Sequence, residues 1–462
     1  MSLRQTKPQE TLLKAKLGDI MSFNLLATFS QIWGKAWPIV VAILFFGLII
    51  FIHEFGHFIF AKLFKVKVNE FALGMGPTIL KKQGKATKYA LRLFPIGGFV
   101  SMEGEDESSD DEGAFCNKKL WQRMIITAAG ATFNIILGVL ICVLIVAGVG
   151  SGQKDVLVGT NTISQFYQGA VSNGDGGLKQ GDKILKIDSK RVYSDYDISF
   201  LMQRNNTGVY SFVVERDGEK IELPEVHFGV RTGGNFSYDE NCVISSVSSK
   251  LKKAGLKDGD QITAVNGVKI KTNKELMEEI GKDTDYTIDF TFLRDGSEQT
   301  VSGVKMATVT VFDFSVLGVD RTVGNVIGGA FKYAASMSRM VYLSLFDLIR
   351  GRYGINELAG PIGTVSVIAD VAEQSVQSAD WSSMLMIMAL ITINIGLFNL
   401  LPIPALDGGR LFFMFVELIT RRKIPPKYEN WIHAAGLILL LIFMVVISAS
   451  DLWKWISGIG FM

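Results

Sequence analysis

His53-Glu54-Phe55-Gly56-His57 lies inside an apolar run that extends from about Trp37 to Leu63. In a helix, residues four apart share a face, so His53 and His57 can reach one metal ion. Glu54 is then placed to take a proton from an attacking water, the logic of metal-dependent hydrolysis on an H-E-x-x-H helix. Two imidazoles and a carboxylate are costly in an apolar span and mark a functional site. The chain has four His, and two of them fall in this pentapeptide. The competing reading, a helix end with incidental His, leaves Glu54 without a purpose.

Two imidazoles do not complete a catalytic zinc site, which usually takes three protein ligands. The candidate third ligand is Asp407, in Asn399-Leu400-Leu401-Pro402-Ile403-Pro404-Ala405-Leu406-Asp407-Gly408-Gly409. Its prolines and glycines break a helix at the end of a later apolar stretch, so Asp407 could point back into the protein. Asn394 and Asn399 can partner the backbone groups freed there. Taken alone, Asp407-Gly408 reads as a plain turn. Beside the H-E-x-x-H helix, the ligand reading is favoured.

Positioning these residues requires membrane spans. Four segments are long and apolar enough, at about 38–60, 124–149, 384–401 and 431–449. The chain has 462 residues, 48% of them hydrophobic, which suits a membrane protein with a sizeable soluble part. Its net charge of +2 gives no sign of nucleic-acid binding. Cys116, Cys142 and Cys242 are too scattered for a metal pattern or a disulfide framework. The N-terminus is polar for about 35 residues and has no cleavable signal pattern, so the first apolar segment is expected to be retained.

The soluble block between the second and third spans contains a repeat. Gly177-Leu178-Lys179-Gln180-Gly181-Asp182 matches Gly255-Leu256-Lys257-Asp258-Gly259-Asp260, and Arg216-Asp217-Gly218 matches Arg294-Asp295-Gly296 at the same offset. A single gapless offset predicts two copies of one small domain. Each copy resembles a PDZ domain, with G-L-x-x-G-D-x-I as its core, and such domains bind peptide at a sheet edge. Gly74-Met75-Gly76-Pro77 through Val100 predicts a hairpin or a re-entrant loop beside the membrane. Residues 324–352 read as an interfacial helix or a linker helix. The acidic run Glu103 to Glu112 reads as a solvated loop. Lys and Arg cluster after the first span and after the third. Those loops are expected to be cytoplasmic, with the repeats outside.

Taken together, His53 to His57, the Asn399 to Gly408 segment and the tandem insert resemble the site-2 protease family of intramembrane zinc metalloproteases, in its bacterial RseP/RasP-type branch. Pro95-Ile96-Gly97-Gly98-Phe99-Val100, Trp121-Gln122-Arg123 through Gly130, and Gly360-Pro361-Ile362-Gly363 resemble further family elements. Ala131 departs from the family, where Pro is frequent after Ala-Ala-Gly.

The resemblance implies one Zn2+ per chain on His53, His57 and Asp407, with Glu54 activating water. It implies a multi-pass protein of the bacterial cytoplasmic membrane that acts on single-pass membrane proteins, of the anti-sigma factor type, or on remnant signal peptides. The PDZ pair would lie outside the cytoplasm as a gate against bulky ectodomains. Asn394, Asn399 and the segment Gly97, Gly98, Phe99 are candidates to hold substrate backbone or oxyanion.

The expected fold is a polytopic α-helical membrane protein of about four transmembrane helices, with two inserted α+β PDZ-like domains and a membrane-associated β-hairpin. Expected boundaries are an N-terminal extension at 1–36, a first membrane segment with two spans at 37–150, and PDZ-like domains at 151–230 and 231–310. A linker with an interfacial helix at 311–380 and a second membrane segment with two spans at 381–462 follow. A non-enzymatic scaffold has no need of buried ionisable groups. A transporter would more often repeat its membrane halves, whereas here the repeat is in the soluble insert.

Overall fold

The structure, a computed structural model, describes residues 36–456 except 106, 152–156, 206–207, 233–235, 248, 284, 352–359 and 423. The expected N-terminal extension lies, but for its last residue, outside them. The described residues form two compact units: 36–134, 361–388 and 399–436 in the first, and 135–360, 389–398 and 437–456 in the second.

The described chain opens with α1 (Ala36–Leu63), which carries the H-E-x-x-H motif. Then come β1 (Val68–Gln83), β2 (Lys88–Met102) and α2 (Leu120–Val146). In the first unit α1 meets α2 backbone to backbone: a Cβ on Gly56 would come 2.6 Å from the Ala129 carbonyl oxygen. Small residues permit this approach between apolar helices.

β1 and β2 pair antiparallel, and residues 70–73 of β1 face β2 on both sides. Glu70 lies opposite Ser101 and Lys88, and Leu73 opposite Gly98 and Leu91. Such doubling needs sharp bends. Gly74 and Gly97 supply them at φ +86° and +80°, where a side chain would be strained. Val68, Val100 and Met102 of these strands share a buried cluster with Ala61, Val66, Phe115, Ile126 and Met414.

The second unit holds the repeats. Copy one contains β3 (Val158–Phe166), β4 (Lys183–Ile187), β5 (Lys190–Arg191), α3 (Asp195–Asn205), β6 (Val209–Arg216) and β7 (Glu219–His227). After β8 (Val230–Thr232), copy two contains β9 (Phe236–Tyr238), β10 (Ile244–Val247), α4 (Ser249–Ala254), β11 (Gln261–Val265), β12 (Val268–Lys269), α5 (Asn273–Lys282), β13 (Thr287–Arg294) and β14 (Ser297–Lys305).

The copies share more than strand order. Arg216 Nε donates to Asp182 Oδ1 at 2.7 Å, and its Nη2 donates to Asp182 Oδ2 and the Gly177 carbonyl. Arg294 repeats all three bonds on Asp260 and Gly255. The strand arrangements are consistent with PDZ-like domains.

β15 (Thr308–Thr310) pairs with β8. β16 (Phe314–Val319) pairs with β3 and completes a six-stranded sheet in the order β16-β3-β4-β6-β7, with β5 against β4. Residues 314–319, expected in a linker, therefore return to copy one. Asp313 fixes the return by accepting from the backbone N–H of Val171 and Ser172 and from the Ser172 hydroxyl.

α6 (Val323–Ile349) follows, in the stretch read as an interfacial or linker helix. One face of it is bonded to copy one. Arg204 makes a two-pronged ion pair with Asp347, and Ser336 donates to Asp197 at 2.8 Å. α7 (Pro361–Ser378) begins at the proline of Gly360-Pro361, where the missing N–H costs nothing. α8 (Ser382–Leu400), α9 (Asp407–Thr420) and α10 (Pro426–Ile456) complete the chain. Among the described residues, four helices are long and apolar enough to cross a membrane: α1, α2, α8 and the Lys427–Trp453 stretch of α10. They mark the protein as membrane-associated.

Candidate metal centre

His53 and His57 stand one turn apart on α1, and Asp407 opens α9. The break between α8 and α9 is tight. A Cβ on Gly408 would come 2.0 Å from the Leu401 carbonyl oxygen, and one on Gly409 2.6 Å from that of Ile403. The Ala405 N–H donates to His433 Nδ1 at 3.0 Å, which ties the loop to α10. Asp407 is thereby turned toward α1, as the sequence reading allowed.

Three ligand atoms meet. His53 Nε2 lies 3.3 Å from His57 Nε2, and Asp407 Oδ2 lies 3.2 Å from the first and 3.3 Å from the second. Ligands of a tetrahedral zinc at bond lengths near 2.0–2.1 Å stand about 3.3 Å apart, so this triangle fits the ion. The proton count agrees. His57 Nδ1 donates to the Ile126 carbonyl at 2.8 Å, so in the neutral ring Nε2 presents a lone pair to a carboxylate oxygen. Asp407 Oδ2 is buried without a hydrogen-bond donor. Lone pairs facing one another at this distance call for a cation between them.

The triangle opens on a chamber of about 210 Å³, lined also by Glu54, Gly98, Phe99, Thr127 and Arg410. Gly98 stands against the motif helix: a Cβ there would come 2.9 Å from Glu54 Cγ. The structure thus brings together His53, Glu54, His57, Asp407, Gly98 and Phe99. Gly97 forms the bend beside them, and a Cβ on it would strike the Met75 side chain. Asn399 is half-buried in the last turn of α8. Asn394 belongs to the second unit, and its Oδ1 is buried without a partner.

Peptidase family M50 matches residues 41–443. The chain belongs to this family. It is 31% identical to a provisionally named zinc metalloprotease of Fusobacterium nucleatum, over 90% of this chain and 98% of the relative. It is 32% identical to another so named in Clostridium acetobutylicum, over 89% and 96%. To zinc metalloprotease RasP of Shouchella clausii it is 28% identical, over 89% and 98%. The site-2 protease resemblance, the metalloprotease activity and the zinc cofactor expected from the sequence hold.

In this M50 peptidase two further residues shape the centre, and sequence reasoning gave neither a role there. Asn134 approaches His53 Nδ1 at 3.4 Å through its amide, while its Oδ1 is buried without a partner. Amide nitrogen and oxygen exchange places by a flip. With Oδ1 toward the ring, Asn134 accepts from His53 Nδ1–H and leaves Nε2 free for the ion, as outer partners of ligating His do. The available signal was a lone amide in the apolar second span. Gly130 is the other: a Cβ there would come 2.3 Å from His57 Nε2. Nothing short of the packed helix pair could have revealed that role.

Proposed function

We propose that this M50 peptidase cleaves peptide bonds within the transmembrane segments of single-pass membrane proteins, of the anti-sigma factor type, or of remnant signal peptides, in regulated intramembrane proteolysis. The observation that carries the proposal is a metal triangle and a carboxylate sharing one chamber on a helix apolar enough to span a bilayer. A soluble protease has no need to bury this set in an apolar segment.

His53, His57 and Asp407 hold the ion. When bound, zinc supplies Lewis-acid chemistry that polarises the scissile carbonyl and acidifies the attacking water to a pKa of about 7. Glu54 accepts the proton of that water and delivers it to the leaving amine. A substrate helix must unwind first, and helix-breaking residues in it lower that cost. The unwound strand pairs with the Gly97-Gly98-Phe99 edge of the hairpin, which lies beside the membrane as a re-entrant element. Asn394 and Asn399 hold substrate backbone or the developing oxyanion.

Lys and Arg near the spans orient the protein in the bacterial cytoplasmic membrane with the hairpin inside and the PDZ-like pair outside. There the pair gates access, rejecting substrates whose ectodomains are intact. The test pairs zinc content with cleavage of a model single-pass substrate. Glu54→Gln is expected to retain zinc and abolish cleavage, and Asp407→Ala to lower zinc. Normal turnover by Glu54→Gln would sink the base assignment. Unchanged zinc in Asp407→Ala would remove that residue from the ligand set.

A further inference from the structure

A hydrolase needs water at the scissile bond, and α1 and α2 are apolar along most of their length. The catalytic chamber has a neighbour. A second cavity of about 410 Å³ is lined by the loop residues Glu107, Ser109, Asp110 and Asn117 and, from α9 and α10, by Glu417 and Glu429. Phe115, Phe413, Met414, Ile424 and Pro425 share the lining, and the carboxylates, hydroxyls and amides among them give water the hydrogen-bond partners it needs. Its walls come from the loop between the first two spans and the turn before the last, the two loops whose basic residues place them on one side of the membrane.

Two side chains line both cavities, Glu105 and Arg410, and they form an ion pair with each other. Their positions explain the pairing. Arg410 lies three residues after Asp407 on α9, close to one helical turn, and so shares its face. Glu105 lies three residues beyond the end of β2, the strand that carries Gly98 and Phe99 into the chamber. The pair therefore bridges the ligand-bearing helix and the chamber-lining segment at the partition between this vestibule and the metal centre.

We propose that the Glu105–Arg410 ion pair is the gate through which water passes from the vestibule to the catalytic chamber. The use made of that water rests on the protease reading; the gate itself does not. A charged pair suits the role, because both groups keep partners in water when they separate and neither is left unpaired in an apolar wall.

The test uses the full chain and two reporters. Cys116 lines the vestibule, and Thr127 lines the chamber. One protein keeps Cys116 as its only cysteine. The other carries Thr127→Cys with the three native cysteines replaced by Ser. Each is labelled with a small, charged, water-soluble thiosulfonate, and zinc content is measured in parallel.

Cys116 is expected to label rapidly whatever the state of the pair. The chamber reporter is expected to label slowly in the intact pair and about tenfold faster after Glu105→Gln or Arg410→Gln. The swap of Glu105→Arg with Arg410→Glu is expected to return it toward the slow rate. Should Arg410→Gln lose zinc, Arg410→Lys takes its place and is expected to give an intermediate rate. Chamber labelling that is unchanged or slower in the single variants would overturn the gate, as would labelling equal to that of Cys116 in the intact pair. Labelling that follows the pair in a protein that cleaves no single-pass membrane substrate would overturn the proposed intramembrane cleavage and leave the gate standing.

Discussion

At the scale of residues, the metal centre depends on atoms that are missing as much as on those present. Gly130 leaves the space that the His57 ring occupies. Gly130→Ala is expected to lower zinc content about tenfold or more, because the added methyl displaces a ligand. Gly47→Ala on α1 is the control, since a Cβ there meets nothing within 4 Å. Equal zinc in the two variants would refute the packing argument. Asn134 acts through a proton. Asn134→Ala is expected to weaken zinc binding by about 10–100-fold, the usual cost of losing an outer partner of a ligating His. Asn134→Asp retains an acceptor for His53 Nδ1–H and is expected to bind zinc nearly as well as the parent. A loss as large as that of the alanine variant would sink the tautomer assigned to His53. Competitive chelator titration measures all four proteins.

At the scale of elements, the two repeats were legible and their completion was not. Gly-Asp and Arg-Asp-Gly recur at one offset because each copy buries the same Asp beneath the same Arg, leaving Asp182 fully buried and Asp260 1% exposed. An ion pair that serves a fold in this way leaves its mark in the sequence. β16 leaves none, because its partner β3 lies about 150 residues earlier and strand pairing over that distance has no local signature. The doubled pairing of β1 and β2 was hidden for a related reason: glycines mark bends, but not which segments the bends bring together. Arg216→Met and Arg294→Met make the equivalence testable. Removing one partner of a buried pair costs about 3–5 kcal/mol, and the two substitutions are expected to destabilise their own copies by similar amounts. Denaturant unfolding followed by proteolysis within each copy provides the comparison. A large cost in one copy and none in the other would mean that the two pairs do different work.

At the scale of the whole molecule, the convergence of His53, His57 and Asp407 was legible because it is chemical and the insert because it is repetitive. The connection between insert and membrane helices is neither. Val158 pairs with Val319, so the insert's two ends lie on adjacent strands. Arg321 Nη1 donates to the Ala147 carbonyl at 2.6 Å, which fastens the exit to the end of α2. Adjacent strands stand about 5 Å apart, a gap that a few residues can close. The insert is therefore removable in principle. Replacing residues 158–319 with a short Gly-Ser linker removes Arg204, which ion-pairs with Asp347, so Asp347→Asn accompanies the excision. The shortened protein is expected to keep its zinc and its Glu54-dependent cleavage of a short single-pass substrate. If the PDZ-like pair screens substrates as proposed, the shortened protein is also expected to cleave a substrate with a folded ectodomain that the intact chain would reject, because that pair has gone and the chamber has not. Continued rejection of that substrate would show that discrimination lies in the membrane helices. Loss of zinc would show instead that α2 needs the insert to hold His57 and Asn134 in place.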